Sequence, residues 1–135
     1  MNIEQVFEES LAEVEAKGFD SVNEPIRVLA TIWAVEAEVN NGGFDQLFHN
    51  SAGDIAHYAA IAFNSIGALK MASISQKALD IFGEGGPPKN RNARIAALEA
   101  MPEEYEERLN ELDEEFFEYP DNVQNLVSSY VESNF

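Results

Sequence analysis

The side chains best suited to acid–base or metal chemistry gather in and around one short stretch, EVNNGGFDQLFHNSAGD at residues 38–54. They are two histidines and four acids: Glu36, Glu38, Asp45, His49, Asp54 and His57. Carboxylates and imidazoles exchange protons near neutral pH and bind divalent metals. A catalytic or metal site at this cluster is therefore the first hypothesis to weigh.

The spacing of these residues argues against that hypothesis. A metal site on a helix needs ligands that share one face, as in His-x-x-x-His or Glu-x-x-His. His49 and His57 are separated by a turn-like sequence, and Glu36 and Glu38 point to different faces of a helix. Ser51 lacks the G-x-S-x-G context of a nucleophile, and the paired glycines lack a phosphate-binding pattern. We therefore expect no catalytic residue, no metal and no cofactor.

A sharp corner between helices explains the same residues better. Asn41-Gly42-Gly43 is predicted to end a long helix by supplying left-handed backbone conformations. The apolar residues Phe44, Leu47 and Phe48 then fold back into the core as a short helical turn. Asn50 to Gly53 makes the next turn, and Asp54 starts the following helix as its N-cap. Gln46 and Asn50 are expected to satisfy buried backbone groups at this corner.

The elements that must position this corner all have helical patterns. We predict helices over residues 2–17, from Pro25 to the corner, from Asp54 to Ile66, and over residues 69–82. Gly18 and Gly67 end the first and third of these helices, and the second is apolar on almost every side, which indicates a central buried helix. GEGGPPKN at residues 83–90 is a loop, and two or three helices follow it. The sequence thus predicts an all-α fold, a compact single-domain bundle of about six to eight helices.

Composition narrows the class of protein. The chain has 135 residues, 45% of them apolar, and no cysteine, so it fits one globular domain without disulfides. The opening MNIEQVFEES is too polar and acidic for a signal peptide, and we expect a cytoplasmic protein. Twenty-five acids and eight bases give a net charge of −17, which repels nucleic acid and anionic membranes and attracts basic proteins. Adaptation to salt is an alternative reason for that charge.

Residues 103–118 concentrate the acidity on one helix. At 100° per residue, an apolar stripe of Tyr105, Leu109, Leu112 and Phe116 spans about 60°. The opposite side, within about 80°, carries Glu103, Glu107, Glu111, Glu114 and Glu118. Glu104 and Glu115 lie beside these five glutamates, and Glu106 and Asp113 lie on the other flank. The nine acids make about one charge per 2.5 Å of helix, against about one per 1.7 Å of duplex DNA.

This one-sided arrangement costs stability, because like charges at i and i+4 repel by a few tenths of a kcal/mol per pair. Arg108 is the only base in the segment that could relieve them. An ordinary solvated face remains the alternative. We predict a partner-binding surface made of the seven glutamates Glu103, Glu104, Glu107, Glu111, Glu114, Glu115 and Glu118. The first helix is expected to help through Glu4, Glu8 and Glu13.

Several stretches also resemble a known family. EVNNGGFDQLFHNSAGD, AFNSIGALKMA, KALDIF and LDEEFFEY are similar to a bacterial family long labelled a domain of unknown function, which includes a DNA-mimic protein. The match extends over roughly residues 25–135, and N-G-G-F-x-Q followed by N-S-x-G-D is its most specific part. The resemblance implies an all-helical fold. For the mimic member, it implies an acidic surface that occupies the DNA site of a transcription regulator.

The leading hypothesis is a non-enzymatic DNA mimic that binds a basic DNA-binding protein or transcription regulator and blocks its DNA site. The partner is expected to be protein, with no direct contact to nucleic acid or membrane, and a homodimer is left open. An immunity or antitoxin-like binding module is the second hypothesis. A metal-dependent enzyme that uses the polar corner is the third.

Overall fold

The longest helix runs through the centre of the protein in the computed structural model, which describes residues 2–135. The α-helices in chain order are α1 (Ile3–Lys17), α2 (Glu24–His49), α3 (Ala59–Ser65), α4 (Leu69–Leu79), α5 (Arg91–Glu99), α6 (Glu104–Phe117) and α7 (Val123–Asn134). Three 3₁₀ turns, Phe19–Ser21, Ser51–Tyr58 and Asp80–Phe82, connect them. Residues 2–135 contain no strand, so the predicted all-α class and the number of helices are confirmed.

Helix α2 organises the core because its first half is apolar on every side. Asn23 caps it by accepting a hydrogen bond from the Ile26 amide at 3.1 Å, and Pro25 lies in the first turn, as predicted. Residues such as Val28 and Val35 are completely buried. Helices α1, α3, α5 and α6 all pack against α2. The predicted central buried helix is thus confirmed, as is the end of α1 at Gly18.

The corner in the polar stretch is a break within α2. Gly42 has an extended φ of −162°, and Gly43 has a φ of 82°, after which the chain resumes a helix to His49. The prediction of left-handed conformations at both glycines is therefore right for Gly43 and wrong for Gly42. Phe44, Leu47 and Phe48 turn back into the core as predicted, each at most 1% exposed.

A buried arginine far along the chain holds this corner in place. Arg94, on α5, is 0% exposed, and its Nε donates to the carbonyl oxygen of Phe48 at 2.6 Å. Its Nη2 donates to the carbonyl oxygen of Asn50 at 2.7 Å. Its Nη1 lies within hydrogen-bond distance of the carbonyl oxygens of Pro88 and Lys89. The corner's carbonyl groups are thus satisfied by Arg94, which corrects the expectation that Gln46 and Asn50 would satisfy such groups.

The same arginine explains why Asp54 is not a helix cap. The carboxylate oxygen Oδ1 of Asp54 accepts a hydrogen bond from Arg94 Nη1 at 3.0 Å. The chain around it forms the 3₁₀ turn, and α3 begins only at Ala59, where no side chain caps the helix. The predicted helix from Asp54 to Ile66 was therefore wrong in its start, although Gly67 follows its end at a positive φ of 86°.

An acid on α6 fixes the corner from the other side. Asp113 is 8% exposed, and its Oδ1 accepts a hydrogen bond from the Phe44 amide at 2.8 Å. The helical pattern places Asp113 on a flank beside the glutamates, and α2 covers that flank, so Asp113 is buried where the exposed glutamates are not. The amide it binds directly follows the glycine break, where no intrahelical acceptor is in reach.

The remaining segments follow the predicted pattern. Helix α4 and the turn Asp80–Phe82 fill the predicted helical range 69–82, the loop 83–90 is not helical, and three helices follow it. Within residues 2–135, none of the helices is both long enough and apolar enough to cross a bilayer.

We predict that the two adjacent glycines differ sharply in tolerance to substitution. A Cβ on Gly43 would overlap the Asp113 carboxylate at a positive φ, so Gly43→Ala should cost about 2 kcal/mol or more. A Cβ on Gly42 would overlap the Gln46 side chain, whose exposed amide end can move away at the expense of its hydrogen bond to Glu38. Because φ is extended there, Gly42→Ala should cost clearly less than Gly43→Ala, about 1 kcal/mol. Urea unfolding of both variants measures the difference, and equal costs would contradict the assigned backbone.

We also predict that Arg94→Met lowers the free energy of unfolding by about 3–5 kcal/mol, since it strips several buried acceptors of their donor. Arg91→Met is the matched control on the same helix. Arg91 is exposed and donates to one carbonyl oxygen, that of His49 at 2.8 Å, so its loss should cost less than about 1 kcal/mol. Similar costs for the two variants would show that Arg94 is not the anchor.

Candidate functional site

Two acids of the corner, Glu38 and Asp54, each bind their own hydrogen-bond partners. Glu38 Oε2 accepts from Gln46 Nε2 at 2.7 Å and from Asn50 Nδ2 at 3.0 Å. Asp54, as described above, pairs with Arg94. Both carboxylates are therefore fixed within the corner, and neither contacts a histidine.

The two histidines lie in different surroundings. His49 Nδ1 is 2.9 Å from the carbonyl oxygen of Asp45 and 3.3 Å from its carboxylate, one helical turn away. His57 packs edge-on against the Phe19 ring, with 5.5 Å between ring centroids. Burial and the charge of Lys89 lower the pKa of His57, so its ring is neutral at pH 7. No group of three or more acids and histidines in the described chain is arranged to hold a metal.

Glu36, another acid near the corner, is contacted by Tyr119, a residue that the sequence analysis did not predict to be part of the site. The Tyr119 hydroxyl donates to Glu36 Oε2 at 2.9 Å and accepts from Asn40 Nδ2 at 2.7 Å. Burial raises the pKa of Glu36, and burial raises that of Tyr119 to about 12. Tyr119 has a φ of 47°, the only positive φ at a non-glycine residue in residues 2–135. No local sequence pattern predicts these contacts of Tyr119, because its partners lie about 80 positions earlier in the chain.

The predicted partner-binding surface is exposed along its whole length. We call it the acidic face and define it by seven glutamates, all exposed: Glu103, Glu104, Glu107, Glu111, Glu114, Glu115 and Glu118. On the opposite side of α6, Leu109, Leu112 and Phe116 are 0% exposed, and Tyr105 is half-buried. The side chains therefore divide between core and solvent as the helical pattern predicts.

Almost nothing neutralises this face from within the protein. Arg108 Nη1 lies 3.3 Å from Glu111 Oε2, and both side chains are substantially exposed. None of the other six glutamates pairs with a base in the part of the chain that the structure describes. An exposed pair of this kind contributes at most about 1 kcal/mol. The face thus presents nearly its full negative charge to solvent.

The acids predicted to assist on α1 have mixed surroundings. Glu4 and Glu8 are exposed, while Glu13 is half-buried and pairs with Lys17 at 3.3 Å. Both α1 and α6 pack on α2. Two lysines of α4, Lys70 and Lys77, border a shallow cleft with the last glutamates of the acidic face. These lysines mark the edge of the negative surface on that side.

The fold and the site together define an all-helical protein that exposes one strongly acidic helix. The chain belongs to the DMP19-like protein family, because the family model described as DMP19-like protein matches residues 20–134. That range includes both the corner and the acidic face. Comparison with curated proteins found no match, and neither did comparison with solved structures.

We predict that Glu36→Gln stabilises the protein at pH 7. Because burial raises the folded-state pKa of Glu36 above its ordinary value of 4.5, keeping the charged form buried costs free energy at neutral pH. That cost disappears as the pH falls through the folded-state pKa, so the advantage of glutamine should shrink towards pH 4.5. Urea unfolding across this pH range measures it, with the exposed Glu132→Gln as control. A constant difference, or a loss of stability at pH 7, would contradict the assignment.

Proposed function

We propose that the acidic face binds a basic DNA-binding protein, such as a transcription regulator, and blocks its DNA site. The observation that carries the proposal is the face itself, seven exposed glutamates of which only Glu111 forms an ion pair, with Arg108. A helix can be soluble with far fewer acids, and repulsion between neighbours costs it stability. The arrangement makes sense where a positively charged partner supplies the missing counter-charges.

The dimensions of the face suit a protein that normally binds DNA. Helix α6 has 14 residues, which corresponds to about 21 Å of axis. A partner that neutralises phosphates over that distance presents several lysines or arginines at similar spacing. Carboxylates on an exposed helix offer such side chains acceptors comparable to phosphate oxygens. Membership of the DMP19-like family supports this proposal, since the fold that displays the helix is shared along nearly the whole chain.

The mode of binding follows from the electrostatics. Complementary charges accelerate association and make it sensitive to salt, because exposed charges are screened beyond about 8 Å at physiological ionic strength. In this proposal the protein performs no chemistry, needs no cofactor and acts in the cytoplasm, where such partners work. The corner acids support that reading, since Glu38 and Asp54 are committed to structural hydrogen bonds.

A second candidate is an immunity or antitoxin-like module that recognises one particular protein. The observation in its favour is Phe117, which is 49% exposed next to Glu118 at the end of α6. Exposed aromatic side chains are enriched at the energetic centres of specific protein interfaces. Such a module would bind with less dependence on salt than a mimic of DNA.

We predict that reversing three charges of the acidic face, Glu107→Lys, Glu111→Lys and Glu114→Lys together, abolishes partner binding while the fold survives. The apolar stripe is untouched, and the new lysines can pair with the remaining glutamates one turn away. Wild-type and variant protein, immobilised, would be exposed to native lysate at low and high salt. Wild type should retain a DNA-binding protein at low salt and lose it at high salt.

The matched control changes the net charge equally at exposed sites on other elements, Glu84→Lys, Glu99→Lys and Glu132→Lys. This variant should retain the partner, whereas the reversal on α6 should weaken binding by orders of magnitude. If both triple variants bind as tightly as wild type, the acidic face is only a solvated surface. If both lose binding equally, net charge and not the face is responsible.

A further inference from the structure

An apolar groove on another part of the molecule is not used by the proposed function. It lies between α1 and the chain that leads into and out of the corner, and its volume is about 530 Å³. Its apolar lining includes Leu11 and Val14 of α1, Trp33 of α2, and Phe19 and Ile55 from the turns that flank α2. These five side chains are only half-buried, so the groove exposes much of its apolar surface.

The aromatic walls of the groove are held in position. The Trp33 ring packs against the buried Phe7 ring, with 5.1 Å between centroids. The Phe19 ring meets the edge of Tyr58 at 5.3 Å. Rings with such neighbours have little freedom to collapse into the groove, so the site exists before any ligand arrives. A volume of about 530 Å³ lies within the range of about 300–1,000 Å³ that is typical of ligand-binding clefts in proteins.

Acids line the same groove. Glu15, Glu38 and Asp54 are part of its lining. Glu38 and Asp54 are anchored through one oxygen each, Oε2 by Gln46 and Asn50 and Oδ1 by Arg94. Their second oxygens accept no hydrogen bond from the residues that the structure describes. The polar residues of the corner thus orient two carboxylates beside an apolar surface.

We propose that this groove binds a basic amphipathic helix of a partner protein. Apolar side chains at i, i+3 and i+7 of that helix would enter between Val14 and Trp33, as in other helix-in-groove complexes. Lysines or arginines beside them would pair with Glu15, Glu38 and Asp54. An acidic helix would be repelled by the same carboxylates, and a uniformly apolar one would leave them without partners. The inference is independent of the acidic face.

The chain provides its own probe, because Trp33 is its only tryptophan. A peptide of leucine and lysine patterned as an amphipathic helix would be titrated into the protein at physiological salt. The expected result is a saturable blue shift of Trp33 emission. A scrambled peptide of the same composition and a leucine–glutamate peptide should each bind at least about tenfold more weakly.

Two variants locate the binding. Val14→Gln places an uncharged polar side chain in the apolar side of the groove, and Glu38→Gln removes a fixed carboxylate from its lining while the amide keeps an acceptor for its neighbours. Each should weaken the leucine–lysine peptide about tenfold or more, and the lysine reversals on α6 should change the affinity less than threefold. If Val14→Gln fails to fold, Glu38→Gln alone decides.

Three results would overturn the proposal. One is a leucine–lysine peptide that leaves Trp33 emission unchanged. Another is equal binding of the patterned and scrambled peptides, since binding would then depend on peptide composition and not on an amphipathic helix that fits the groove. The third is loss of binding in the α6 reversals with full binding in the groove variants, which would assign the peptide to the acidic face. That last outcome would leave the proposed function intact.

Discussion

The rest of the structure depends on one buried guanidinium. Arg94 joins the carbonyl groups of Phe48 and Asn50 and the carboxylate of Asp54 to the loop before its own helix, Pro88–Lys89. Burying such a cation costs several kcal/mol unless its donors are satisfied, and here each nitrogen of the guanidinium has an acceptor. The polar stretch at residues 38–54 therefore supplies acceptors, two carbonyl groups and the Asp54 carboxylate, to a side chain at least forty positions away. Within the stretch, the side chains of Gln46 and Asn50 bind Glu38.

On the other side of the corner, a single buried acid ties the acidic helix to α2. Asp113 binds the Phe44 amide directly after the Gly43 break. Burial raises the pKa of Asp113, and the bond from Phe44 opposes that shift. The apolar stripe of α6 packs into the core, and the Asp113 contact ties the same helix to the corner, so the seven glutamates of the acidic face all point to solvent. One acid of the helix thus holds the structure, and its neighbours are free to contact a partner.

Local patterns predicted most of the fold, and contacts between distant residues account for what they missed. The ends of α1, the buried α2 and the two-sided α6 follow from helix periodicity, glycines and Pro25. The sequence could not show that Arg94 is buried, because an arginine on a short helix normally faces water, as Arg91 on the same helix does. The local pattern likewise predicts Asp54 as a helix cap, because it cannot show that the Asp54 carboxylate binds Arg94.

The candidate site shows the same division. The exposure of the acidic face was predictable from 100° periodicity, whereas the burial of Asp113 depends on where α2 covers α6. The hydrogen bond between Tyr119 and Glu36 joins residues that are 83 positions apart, and no spacing rule connects residues at that separation. The fixed orientation of Glu38, likewise, follows from a turn whose geometry Arg94 determines.

The central claim is that this protein and DNA compete for one surface of the partner, and a measurement of ternary complex tests it most directly. The captured partner would be saturated with fluorescently labelled DNA, and the protein added while fluorescence anisotropy and molecular mass by light scattering are followed. Mutually exclusive binding predicts full release of the DNA and a protein–partner complex without it. A stable assembly that contains the protein, the partner and the DNA together would contradict the account.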